Sequence, residues 1–147
     1  MNQARVVRLA RRALGWLTAA LAFAAATAFA AEPSFAQRLG DLVNVYRTEH
    51  GLPALHVDAT LSELAKEHSA AMAKAGKMSH DDFPSRVRRS GRAMCVENVG
   101  WNYHTAQRQF DAWRESSGHN RNMLDRRVDR LGVGVAGDYV TLMACGA

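Results

Sequence analysis

An α+β fold, with a small antiparallel sheet covered by helices, is predicted by three observations. Two segments of helical period open the domain, at about 34–51 and 58–74. One segment of period-two character follows at 93–101. The chain then ends on a hairpin, in which Leu131, Val133 and Val135 alternate with Gly132, Gly134 and Ala136. The order helices, strand, helix, hairpin suits helices layered on a sheet.

The first thirty residues are expected to lie outside that fold. Arg5, Arg8, Arg11 and Arg12 precede an apolar stretch at 14–26, and Ala28-Phe29-Ala30 supplies a small-x-small cleavage site. This is the pattern of a secretory signal peptide at 1–30, leaving a domain at 31–147. An uncleaved membrane anchor at 13–31 is the alternative, since that run is nearly long enough to span a bilayer. The charge argument changes with the segment removed. The chain carries 19 Lys+Arg against 14 Asp+Glu; four basic and no acidic residues precede Ala31, which leaves 15 against 14, or +1. Nothing in that balance points to nucleic acid, and no nucleic-acid partner is expected.

Within the domain, Ser34 and Gln37 form a capping box, and Phe35, Leu39, Leu42, Val43 and Tyr46 make one stripe of a first helix. Gly51 and Pro53 end it. Leu61, Leu64, Ala65, His68 and Met72 share a face of the second helix, which stops at Gly76. A short helical turn is expected over 83–91. Its neighbourhood carries Arg86, Arg88, Arg89 and Arg92, read as a solvated basic face. Thr105 caps a third helix with Ala106, Phe110 and Trp113 turned inward. Ser116-Ser117-Gly118 is expected to break it, with a further short turn at 119–124. Gly137-Asp138 turns the final hairpin.

Two cysteines, Cys95 and Cys145, in an exported chain favour a disulfide, which closes a loop worth on the order of 4 kcal/mol in the chain-entropy account. Two free thiols, or Cys95 as a metal ligand near Glu97, are the alternatives. No HExxH, CxxC, nucleophile elbow or phosphate loop occurs in the chain. His68 reads as a core histidine, and His50, His56 and His104 as surface residues. What remains is His80, Glu97, Glu115 and His119, two imidazoles and two carboxylates, which are raw material for a metal or acid–base site.

The phrases around these residues resemble the CAP superfamily, or SCP domain: the cysteine-rich secretory, venom antigen and pathogenesis-related class 1 proteins, and most closely the short bacterial secreted members. Leu39 to Tyr46 with Arg47, Gly51-Leu52-Pro53-Ala54-Leu55, Met78-Ser79-His80, Glu97-Asn98-Val99-Gly100, Trp113 to Leu124 and Leu131-Gly132-Val133-Gly134 follow the family's motifs in order. The resemblance implies an α-β-α sandwich with a cleft, faced by His80, Glu97, His119 and one further glutamate. The sequence departs from that pattern at the last member. Ser116 occupies the position three after Trp113, and Glu115 lies about 100° away around the same helix. Val96 replaces the glycine that the family places before Glu97.

Two functions follow as expectations. The first is an extracellular or periplasmic binding or interaction module. Its cleft is flanked by Trp101 and Tyr103, and it takes a small-molecule, lipid or peptide ligand. The second is a metal-dependent hydrolase of peptide or cell-wall material, with a divalent cation such as Zn²⁺ on His80 and His119 and Glu97 as base. A monomer is expected in either case.

Overall fold

A computed structural model describes residues 31–147. The export segment expected at 1–30 lies outside the described residues. Five helices and four strands follow in the order α1 (Phe35–Glu49), β1 (His56–Val57), α2 (Ala59–Ala75), α3 (Phe83–Ser90), β2 (Met94–Trp101), α4 (Ala106–Glu115), α5 (Ser117–Met123), β3 (Arg130–Ala136) and β4 (Tyr139–Gly146). The sheet order is β1-β3-β4-β2. No described helix is long and apolar enough to cross a membrane.

The helix starts follow from their caps. Ser34 Oγ accepts from the Gln37 N–H, and the Ser34 N–H donates to Gln37 Oε1, which closes the capping box. Asp58 and Thr105 accept in the same manner from Leu61 and Arg108, and start α2 and α4. Gly76 ends α2 in the left-handed conformation.

Strand β4 is buried along its whole length, because both faces of the sheet are covered. Val140, Leu142 and Ala144 pack with Leu39 and Val43 of α1 and with Phe110 and Trp113 of α4. Met143 and Cys145, on the opposite face, pack with Leu61, Leu64 and Ala65 of α2. This is the α-β-α sandwich that the sequence leads one to expect. Helix α2 lies directly on β3 because that strand presents glycines to it. A Cβ at Gly132 would meet the Leu61 backbone at 2.2 Å, and one at Gly134 would meet the Lys66 nitrogen at 2.0 Å.

Three details depart from expectation. The segment at His56 is a two-residue strand, paired in parallel with β3 through His56–Arg130 and Val57–Leu131. The sheet is therefore mixed at one edge, by a strand too short to carry a period-two signal. The break after Trp113 is confined to Ser116, whose φ of −92° and ψ of 116° are extended; Ser117 and Gly118 already belong to α5. Arg86 is buried to 5% exposure and does not sit on a solvated face.

Candidate functional site

Glu97 lies on β2 opposite Met143, on the sheet face that α2 and α3 cover. Its carboxylate is 1% exposed and does not face open water. Arg86, one turn into α3, donates from Nε to Oε2 at 2.7 Å and from a terminal nitrogen to Oε1 at 2.8 Å. This is the bidentate fork geometry in which a guanidinium holds a carboxylate most firmly. The same guanidinium donates to the Asp81 carbonyl at 2.7 Å, which ties the loop bearing His80 to α3. His80 Nδ1 lies 2.9 Å from Glu97 Oε1. With Nδ1–H donated there, a neutral His80 carries its lone pair on Nε2, and its side chain is 55% exposed. His68, buried on α2, donates Nε2–H to the Ser79 carbonyl at 2.8 Å and stands 3.8 Å from Glu97 Oε1. Glu97 therefore accepts hydrogen bonds from Arg86 and His80 at the centre of a buried polar cluster. The carboxylate expected as a candidate base is thus buried and paired with a guanidinium.

His119 sits near the start of α5. The Asn98 amide donates to its carbonyl at 3.1 Å, and Asn122 donates to the Glu97 carbonyl at 3.1 Å and to Asn98 Oδ1 at 2.9 Å. These bonds fasten α5 to β2 and set His119 beside β2. Its ring is 6.2 Å from that of Trp113. Burial first, and the charge on nearby His80 second, hold the His119 imidazole below its ordinary value. Trp113 donates Nε1–H to the Val99 carbonyl at 2.9 Å.

Ser116 and His119 line a cavity of about 350 Å³ together with Gln109, Trp101 and Tyr103. Glu115 is exposed and is not among its lining residues. The 100° offset read from the sequence thus sends Glu115 to solvent and Ser116 to the cleft. A second cavity, of about 590 Å³, is lined by His68, Ser79 and Arg86 from the side of α2 and α3.

The donor set is a poor fit for a firmly held metal ion. Among the described residues, no three His, Cys, Asp or Glu side chains converge on one point. His80 and His119 offer two imidazoles, but the nearest carboxylate already carries a guanidinium, which places positive charge beside the position of a cation. Cys95 is not a ligand either. It is bonded to Cys145, its direct partner across β2 and β4.

Arg86, Asn98, Asn122 and Gln109 are the site residues that sequence reasoning missed. The asparagines stood inside the quoted phrases beside Glu97 and His119, and their amide chemistry was the available signal. Arg86 had none, because an eight-residue helix shows too little periodicity to separate it from Arg88 and Arg89. Gln109 is 1% exposed, and neither of its amide atoms has a protein partner. Leaving such groups unpaired costs about 1–3 kcal/mol each.

The comparisons with known proteins agree with this architecture. Residues 41–143 match the CAP family, the Cysteine-rich secretory protein family. The chain belongs to that family. It is 32% identical over 108 residues to the uncharacterized membrane protein YlbC of Bacillus subtilis (strain 168), a match that spans 69% of this chain and 31% of that protein. It is 27% identical over 109 residues to the Golgi-associated plant pathogenesis-related protein 1 of Homo sapiens, spanning 63% of this chain and 67% of the human protein. An extracellular protein containing an SCP domain from Bacillus anthracis str. Ames superposes with a TM-score of 0.73 at 28% identity, over 76% of this chain and 40% of that one. The chain thus matches well under half the length of these two Bacillus proteins.

Proposed function

We infer that this CAP domain is an extracellular or periplasmic binding module, whose cleft beside His80 and His119 takes a ligand without turning it over. The observation that carries this reading is the bidentate Arg86–Glu97 pair. It occupies the carboxylate that a hydrolase would use to activate water. The buried cluster behind the cleft then serves to fix the loop of His80, while His119, Ser116 and the aromatic residues face the ligand. The extracellular setting is supported by the SCP-domain protein of Bacillus anthracis, which is described as extracellular, and by the disulfide.

The test is a digest of a peptide library and of peptidoglycan, each with and without chelator, on the wild type and on the His80→Ala/His119→Ala double variant. No chelator-sensitive product is expected. Cleavage that requires both histidines and a metal would replace this reading with the hydrolase.

A further inference from the structure

Among the described residues, five large apolar side chains are exposed, and three of them rim one cavity: Met78, Trp101 and Tyr103. Trp101 is held rather than loose. The Tyr139 ring supports it at 6.3 Å between centroids, yet 48% of the residue remains open. The next residue, Asn102, donates its backbone N–H to the Asp138 carbonyl at 2.9 Å and fixes the start of the loop that carries Tyr103.

The inner wall is polar. Gln109, sealed to 1% exposure, belongs to the cavity wall, and its amide oxygen and nitrogen have no protein partner. It lies flat on Gly100, where a Cβ would meet Gln109 Oε1 at 1.9 Å, so the glycine makes room for the amide. Ser116 and His119 add a hydroxyl and an imidazole, and no Asp, Glu, Lys or Arg lines the cavity. A complementary ligand is uncharged. It has an apolar face for the aromatic rim and several donor and acceptor groups for the floor.

We propose that this cavity is a subsite for one neutral sugar ring of a glycan, stacked on Trp101 and Tyr103 and hydrogen-bonded through its hydroxyl or acetamido groups to Gln109, Ser116 and His119. The assignment rests on the binding-module reading and names its ligand class. A lipid chain would leave three polar side chains unpaired. An extended peptide would pair with the free edge of β2, but the carbonyls of Val99 and Glu97 are already taken by Trp113 and Asn122. A sugar ring needs neither a strand edge nor a charge.

The test is an NMR titration of the purified full chain with maltotriose, cellotriose and chitotriose, alongside an end-blocked trialanine. At least one saccharide is expected to shift the Trp101 indole N–H saturably at millimolar concentration. Trp101→Ala should weaken that binding at least tenfold, and exposed Tyr103→Ala should weaken it several-fold. Gln109→Met should weaken it at least fivefold while the unfolding midpoint does not fall; a purely structural Gln109 would leave affinity unchanged. Absence of saturation by all three saccharides overturns the proposal, as does unchanged binding in Trp101→Ala. Saturation by trialanine alone overturns the sugar assignment but leaves a binding module. So does a non-covalent ligand retained in the native mass spectrum of a protein that binds no saccharide.

Discussion

Arg86 and Glu97 bury opposite charges against each other, each at about 5% exposure. Such a pair matters most when one partner is removed. Arg86→Met should cost about 3–5 kcal/mol in urea unfolding, because it strands the carboxylate in the interior. Arg86→Met combined with Glu97→Gln should recover much of that loss, as coupled neighbours do. Equal losses in the single and double variants would mean that the pair is not coupled. Arg86→Lys should restore little, since an ammonium cannot bridge both oxygens. His119 sets a pH dependence at the same scale. Its folded imidazole titrates below the ordinary 6.5, so the unfolded chain binds the proton more readily. This contribution to stability is complete above 6.5 and is lost as the pH falls below it. Chemical denaturation between pH 7.5 and 5 should show the decline, and His119→Gln should flatten that part of the curve. His80 and Glu97 were legible in short phrases of sequence. Their partner Arg86 was not, because burial of a lone arginine depends on which helix lies opposite it, and no local pattern records that.

Helix α2 sits on β3 with no space for side chains at two positions. Gly134→Ala should therefore cost about 1–3 kcal/mol through overpacking, read from the thermal midpoint. A neutral result would mean that α2 shifts freely on the sheet. Removing the covalent link between β2 and β4 with Cys95→Ser/Cys145→Ser should cost about 2–5 kcal/mol. The elements with strong local signals were readable in advance. The capping box at Ser34, the glycine stop at Gly76 and the Gly137-Asp138 hairpin each place a boundary by chemistry that sits within a few residues. Strand β1 was not readable, since His56 and Val57 become a strand only through hydrogen bonds to β3, more than seventy residues away. The break between α4 and α5 was readable in kind, but its position was not. One extended serine suffices, and Ser117 and Gly118 are acceptable in the first turn of the next helix.

At the scale of the described domain, two helical layers close both faces of a four-stranded sheet, and the cleft opens where β2 meets α4, α5 and the loop of His80. The ordered family phrases made that architecture legible. The character of the cleft depended on packing that no phrase encodes: which groups Glu97 meets, that Ser116 faces inward, and that Gln109 is left without a partner. Together these features support the proposal of a binding cleft that works without metal. Native mass spectrometry of the protein recovered from its producing cells tests that claim most directly. A non-covalent organic adduct is predicted, unaffected by chelator and lost in the Trp101→Ala/His119→Ala variant. A bound metal ion in place of an organic ligand, removed by chelator and by the loss of His80 and His119, would contradict the account.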